Sequence, residues 1–394
     1  LSDSLISSIN TRQYTIAMTA LDIGWRTALL FALSAPTAIA AGFIVRRATE
    51  QPAFNWLAAL LLAWCWYTVP YIIGFAGAYS AFPWLTFAPF NVELWFGPLL
   101  YLHAYTLVYG RPRKAQLWWL APGTVQFGYY SVCFVTIGDA SAKFAYTEAV
   151  HGPYIVPLES SLGLGLGVAG MALTMRLSSR YQDWLQQQHA AAEAYDPAWL
   201  RRFVATTCLV IAAWAGSELW GMVVGELGYF DSYWLYVAVG ILFMVMAFDA
   251  LTRVDLLFPK ISLPAAMPRE RPKPKIDVDR LAERIRRDGL HRDPELTLAR
   301  LARHIGTNEN YLSRAINGSA GVNFNRFINT LRVEEVCVHL RDPEEQRSIL
   351  RIAMESGFAS KATFNRVFRE ITGETPGRRR KAALQGLKSR NSEE

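Results

Sequence analysis

Seven stretches of this 394-residue chain stay apolar over the length that a helix needs to cross a bilayer, about 20 residues. They fall near residues 24–45, 54–78, 87–109, 117–137, 153–175, 203–225 and 233–251. No other feature limits the fold of the first two-thirds so strongly. Backbone polar groups in hydrocarbon must be satisfied internally, and a helix satisfies them within one segment.

The charges between these stretches are sorted by side. Alternate loops hold Arg46 and Arg47, then Arg111, Arg113 and Lys114, then Arg176, Arg180, Arg201 and Arg202, and finally Arg253. The opposite loops hold Lys143, with Arg12 ahead of the first stretch and Arg26 at its edge. Basic loops stay on the cytoplasmic side, so the predicted topology is N-terminus out and C-terminus in. Trp25, Trp56, Trp84, Trp95, Trp118, Trp119 and Trp234 lie near predicted span ends, as interfacial aromatics do. Pro36, Pro70, Pro98, Pro122 and Pro157 are expected to kink five spans, and Gly163, Gly165, Gly167 and Gly170 to let a neighbouring helix approach. Gly221 and Gly225 offer the same on the sixth span.

Composition changes abruptly after the last span. Residues 1–250 hold 12 Lys and Arg against 14 Asp and Glu, a net of −2, whereas residues 251–394 hold 28 against 19, a net of +9. All 13 tryptophans lie at or before Trp234. An apolar part is thus joined to a basic part that suits an anionic partner. The expected division is an extracytoplasmic lead-in at 1–23, a transmembrane sensor domain at 24–253 and a proline-rich basic linker at 254–275. A DNA-binding domain at 276–381 and a polar tail at 382–394 follow. The long inner loop, 176–202, reads as a helical extension without chemistry. Cys65, Cys133, Cys208 and Cys337 lack metal-site spacing and are expected to be buried thiols.

Three carboxylates, Glu93, Glu159 and Glu218, fall in the outer halves of the third, fifth and sixth spans. A carboxylate at that depth must face a partner, water or the bundle interior. Two readings stay open. The three line one ligand or cation site, with Arg26 and His103 as partners, or they are paired groups that fix helix packing. No P-loop, H-E-x-x-H, G-x-S-x-G or paired metal-ligand motif occurs, so no enzyme, cofactor or metal is expected.

The basic part carries two helix-turn-helix patterns. In the first, Leu298, Leu301, Ala302 and Ile305 form an apolar stripe, Gly306 makes the turn, and Thr307 or Asn308 caps a helix burying Leu312 and Ile316. In the second, residues 349–369, Ile349, Ile352, Ala353, Phe358, Phe364 and Phe368 face inward, Gly357 turns the chain and Ser360 caps the next helix. A helix over 324–340 joins the two, and Thr375-Pro376 opens a last one.

These residues resemble the AraC family of bacterial transcription regulators over roughly 290–380. The resemblance is carried by Ile352-Ala353, Gly357-Phe358, Phe364-Asn365-Arg366, Phe368, Gly373 and Thr375-Pro376, and by Tyr311-Leu312-Ser313-Arg314 with Gly321 and Phe324. It implies that both recognition helices enter successive major grooves. The implied contacts are Asn310, Ser313 and Arg314 from the first helix and Lys361, Ala362, Asn365 and Arg366 from the second. Arg suits guanine, Asn suits adenine, and an alanine methyl meets thymine. Arg303, Arg332 and Arg369 read as phosphate contacts or solvated surface. Arg378-Arg379-Arg380 replaces an aromatic that the family carries there, which leaves the packing of the last helix open.

The expected whole is all-α: a seven-helix transmembrane bundle followed by a soluble double helix-turn-helix domain of AraC type. Its expected role is a one-component transcription regulator in a bacterial inner membrane. Its expected partners are double-stranded promoter DNA, membrane lipid, an unidentified small-molecule or membrane signal, a second copy in a homodimer, and RNA polymerase if the outcome is activation. The competing class is a transporter or membrane enzyme with an accessory DNA-binding tail.

Overall fold

The computed structural model describes residues 21, 23–49, 51–209, 212, 233–261 and 276–390. Among the described residues no strand forms, and the fold is all-α. The chain divides into two compact units. One takes residues to Ser178 and from 198 to 262, the other residues 179–197 and those from 263 onward.

The first unit holds α1 (Trp25–Arg47), α2 (Ala53–Phe75), α3 (Phe96–Tyr109), α4 (Ala121–Thr136), α5 (Val156–Gln188, to Ser178), α6 (198–209) and α7 (Tyr233–Leu251). Four segments are long and apolar enough to cross a membrane by length and composition: Trp25–Arg47, Ala53–Phe75, Ala140–Gln188 and Tyr233–Leu251. The predicted third and fourth spans form shorter α-helices, because 3-10 turns at Glu93–Trp95 and Trp118–Leu120 lead into them. Of the predicted sixth span, residues 210–225 apart from Ala212 lie outside the described residues, and with them Glu218, Gly221 and Gly225.

The direction of the helices is set by their end contacts. Trp25 meets Tyr233, the first residue of α7, edge to face at 5.4 Å, and the Tyr233 hydroxyl donates to the Arg26 carbonyl at 3.1 Å. At the far ends Arg47 pairs with Asp255 at 3.6 Å. Thus α1 and α7 run parallel. α2 returns antiparallel to α1, tied midway by Ser34 Oγ and Thr68 Oγ1 at 3.0 Å. The His103 ring of α3 contacts the Ala53 carbonyl at 2.8 Å, which brings the end of α3 to the start of α2. Arg46, Arg47, Arg111, Arg113, Arg253 and Lys260 consequently gather at one end of the unit. Lys143 sits at the other, its ammonium donating to the carbonyls of Trp84 and Thr86 at 2.7 and 2.9 Å.

α3 and α5 cross at near backbone contact. A Cβ on Gly97 would lie 2.1 Å from the Leu166 carbonyl oxygen, and one on Gly170 would lie 2.3 Å from that of Gly97. Only glycine permits such an approach. Gly167 belongs to the same crossing, its Cα 3.0 Å from a Cβ built on Gly97, whereas a Cβ on Gly165, expected to serve the same role, would meet nothing within 4 Å. Of the five prolines, Pro36 and Pro70 lie inside α1 and α2. Pro98 and Pro122 stand in the first turns of α3 and α4, where proline is tolerated, rather than mid-helix. Pro157 follows a π-helical stretch, Thr147–Ile155. Cys133 and Cys337 are buried as expected, but Cys208 is exposed on α6. The predicted start of the linker packs onto this unit. Phe258 is buried near the Phe54 ring, and the Ile261 amide donates to the Val108 carbonyl at 2.9 Å.

The outside of the unit is apolar. Phe31, Ile39 and Phe43 on α1, Val125, Val132 and Val135 on α4, and Ile241, Val245 and Phe248 on α7 are all exposed. A soluble protein seldom leaves so much apolar surface uncovered.

The second unit holds α8 (Val278–Arg287), α9 (Leu298–Ile305), α10 (Glu309–Ala320), α11 (Phe324–Arg341), α12 (Ile349–Glu355), α13 (Lys361–Thr372) and α14 (Pro376–Arg390). It has two cores. Leu298, Leu301, Leu312 and Ile316 pack with Phe324, Phe327, Ile328 and Leu331 of α11. Ile352, Phe358, Phe364 and Phe368 pack with Val333, Val336, Cys337 and Leu340 of the same helix.

Gly97→Val should lower the thermal unfolding midpoint of the detergent-solubilised chain, since overpacking costs about 1–3 kcal/mol where no atom can yield. Gly165→Ala, whose added methyl would meet nothing within 4 Å, should leave that midpoint unchanged or raise it slightly.

Candidate functional site

Each helix-turn-helix unit is built by the same local devices. Thr297 caps α9, its hydroxyl accepting from the Arg300 amide at 3.2 Å, and Gly306 ends that helix at φ 82°. Asn308, not Thr307, caps α10, accepting from the Tyr311 amide at 2.7 Å. Ser348 caps α12, and Ser360 caps α13 by accepting from the Thr363 amide at 3.1 Å. Gly357 makes the second turn at φ 98°. A Cβ there would fall 2.5 Å from the His291 carbonyl oxygen, so glycine is required twice over.

The caps and cores leave defined outer faces. α10 buries Leu312 and Ile316, exposes Asn310 and Arg314, and leaves Ser313 half-buried. α13 buries Phe364, Val367 and Phe368 and exposes Lys361, Ala362, Asn365 and Arg366. The two sets lie on different helices of one unit, joined through α11. Arg314 Nε donates to the Asn310 carbonyl one turn earlier at 3.3 Å. Arg366 is bound on both sides, to Glu370 at 3.0 Å and to Glu193 at 2.8 Å.

Arg332 corrects the expectation of a surface or phosphate arginine. It is 1% exposed, at the joint between the two cores. Its guanidinium donates to the carbonyls of His291 at 2.7 Å, Asp293 at 2.8 Å and Ala190 at 3.4 Å, and to Asn329 Oδ1 at 3.3 Å. Burial pushes its pKa down to about 10, which leaves it charged at neutral pH. The arginine run also divides. Arg379 pairs with Glu374 at 2.8 Å, and Arg380 donates to the carbonyls of Arg347 and Glu345, so α14 is docked and Arg378 alone of the three is exposed.

The helical extension expected over 176–202 forms as far as Gln188, but sequence reasoning missed what residues 179–197 pack against. This segment belongs to the same unit as the helix-turn-helix pair. The Ala190 amide donates to the Leu296 carbonyl at 3.0 Å, and His189 forms a bridge with Thr297. Ala190 itself is buried in the first core. No motif marks this segment; only the fold reveals its partners.

In the first unit Glu93 and Glu159 are brought to one turn of α5. Tyr130 donates to Glu159 Oε2 at 2.9 Å, Asn91 donates to the same oxygen at 3.3 Å, and Glu93 Oε1 lies 3.5 Å from a Cβ built on Gly163. Tyr129 and Tyr130 both contact the His151 ring, at 3.0 and 3.4 Å. The expected partners make other contacts. Arg26 lies over the rings of Trp25 and Tyr233. His103 follows Glu93 by ten residues, about 15 Å along a helix, and its ring packs on Phe54 and Trp199. Glu93 borders a cavity of about 620 Å³ lined by Trp64, Tyr67, Phe96, Phe203 and Phe243. Among the described residues no group of three His, Cys, Asp or Glu side chains could hold a metal ion.

A family described as "Helix-turn-helix domain" matches residues 301–382. Similar proteins include an uncharacterized HTH-type transcriptional regulator of Staphylococcus aureus strain COL, 38% identical over 87 residues, or 22% of this chain and 11% of that one. A second such regulator from Staphylococcus aureus is 39% identical over the same length and shares. The chain therefore covers about a tenth of the length of the relatives it matches. No solved structure matches. The chain carries a helix-turn-helix DNA-binding domain at its C-terminal end, similar to those of HTH-type transcriptional regulators.

Arg332→Ala should destabilise the second unit by roughly 2–4 kcal/mol, because the carbonyls of His291, Asp293 and Ala190 each lose a hydrogen bond and a cavity is left at the joint. Amide hydrogen exchange across α9 to α13 measures this, and surface residue Arg303→Ala should leave it unchanged.

Proposed function

We propose that the chain is a membrane-embedded, one-component transcription regulator of the AraC type. The observation that carries this reading is the pair of capped helix-turn-helix units, each packed on its own half of α11 and each presenting a polar outer face. Asn310, Ser313 and Arg314 of α10 and Lys361, Ala362, Asn365 and Arg366 of α13 are the proposed groove contacts. A duplex engaged by both helices would be read over two successive major grooves.

Membrane embedding is supported by three features of the first unit: its exposed aliphatic and aromatic surface, its four long apolar segments, and the gathering of basic residues at one end. The parallel course of α1 and α7 adds a constraint. If both cross a bilayer in one direction, α7 is an odd-numbered crossing, which fits seven spans and not four. The basic end then marks the cytoplasm, where the segment following α7 emerges to meet DNA.

The signal site we propose is the cavity beside Glu93, with Glu159 on the adjoining turn of α5. Its aromatic walls and the Glu93 carboxylate suit a molecule with an apolar body and a cationic or hydrogen-bond-donating head. A signal acts only if it binds two bundle states unequally. Glu218 belongs to the proposed site by its predicted depth, whereas Arg26 and His103 are left to structural roles.

Arg314→Ala and Arg366→Ala should each weaken binding by about 1–3 kcal/mol to a duplex selected from random sequence by the full chain in detergent. Fluorescence anisotropy at fixed salt measures the loss, and unchanged affinity in both variants contradicts the assigned faces. Glu93→Gln and Glu159→Gln, at normal protein level, should abolish the signal response of a reporter driven by that duplex. An intact response removes the carboxylates from the signal site.

A further inference from the structure

The segment 179–197 comprises the last turns of α5 and the chain from Gln188 to the start of α6, and packs as a strap on the helix-turn-helix pair. It is stitched down along its length. Gln186 Oε1 accepts from Asn323 Nδ2 at 3.2 Å, and the Ala190 carbonyl accepts from Asn325 Nδ2 at 2.8 Å. Glu193 follows, with one carboxylate oxygen on Arg366 at 2.8 Å and the other near Asn325 Nδ2 at 3.4 Å. The strap therefore covers the start of α11, which directly follows α10, and reaches α13 by an ion pair with its arginine.

We propose that this strap is an autoinhibitory clamp, in which the Glu193 carboxylate occupies Arg366 in place of DNA. The proposal rests on the reading of Arg366 as a groove residue. A guanidinium satisfied by two carboxylates, Glu193 and Glu370, has little left to offer an anionic duplex. Glu370 lies one turn along α13 and stays with Arg366 in any state, whereas Glu193 leaves only if the strap moves. Clamp and duplex compete for the same fork of donors, so DNA binding requires Glu193 to withdraw.

The strap is also a covalent route for a signal from the apolar unit. It is the covalent continuation of α5, which carries Glu159, and it precedes α6 in the chain. A change in either helix reaches the strap through the backbone. Its hold combines one bridge, a few side-chain bonds, a bond from Arg332 to the Ala190 carbonyl, and the buried side chains of Tyr181, Leu185, Ala190 and Ala192. Withdrawal of Glu193 alone needs only the stretch after the buried Ala190 and Ala192 to move, with the rest of the segment left docked.

The test uses the full chain in lipid nanodiscs and the selected duplex. Glu193→Gln keeps the shape of the side chain and removes its charge, and should tighten duplex binding about two- to fivefold, the range of a partly exposed ion pair. The same change in an Arg366→Ala background should give no gain. A cysteine pair, His189→Cys with Thr297→Cys, places two thiols on bridged residues within disulfide reach. Oxidising it should lower duplex affinity at least tenfold relative to the reduced form, which serves as its own folding control. Equal affinity in both redox states, or weaker binding by Glu193→Gln, overturns the clamp. If Arg366→Ala alone leaves binding unchanged, the fault lies in the recognition face, and the oxidised lock still reports on the strap.

Discussion

The spacing of the two helix-turn-helix units depends on a single helix that belongs to both cores. α11 gives Phe324, Phe327, Ile328 and Leu331 to one and Val333, Val336, Cys337 and Leu340 to the other. Neither half can shift along the helix without exposing apolar surface, so the recognition helices are held as a fixed pair. Arg332 sits at the changeover, where its guanidinium satisfies the carbonyls of His291, Asp293 and Ala190. With four hydrogen bonds this buried charge ties the joint together; an apolar residue there would take one donor from each of the three carbonyls.

The apolar unit obeys a different constraint. Its interior is sealed by a backbone crossing at Gly97 and Gly170 and by aromatic stacking such as Trp64 on Phe243 at 4.8 Å. Its exterior is left aliphatic and aromatic. On the proposed reading lipid covers that exterior, and the polar pieces that remain inside, Glu93, Glu159, Asn91 and Tyr130, are tolerated because they partner one another or border a cavity.

Much of this was legible from residues alone. The turn glycines Gly306 and Gly357, the caps Asn308 and Ser360 and the inward stripes follow from local chemistry, which tertiary context did not override. The apolar runs predicted helices, but not that 3-10 turns would shorten α3 and α4. Sequence placed Arg332 on the surface, since an isolated arginine on an amphipathic helix is usually solvated. Its burial depends on carbonyls contributed from residues 190, 291 and 293, which no window around position 332 contains. Glu193 was illegible for the same reason. Its partner lies 173 residues away, and the loop around it resembles any polar connection. Helix rise sets His103 about 15 Å from Glu93 along the chain, a separation that sequence depth alone does not convey.

The central claim is that one chain both spans a membrane and holds a specific duplex. Flotation tests it directly. Full-length chain is reconstituted into liposomes, mixed with the labelled selected duplex and an excess of scrambled DNA, and spun through a density gradient. The labelled duplex should rise with the lipid and be displaced by unlabelled selected duplex but not by scrambled DNA, and the chain should stay with the vesicles after alkaline carbonate extraction. A chain released by carbonate, or vesicles that carry the chain but leave the duplex at the bottom, would contradict it.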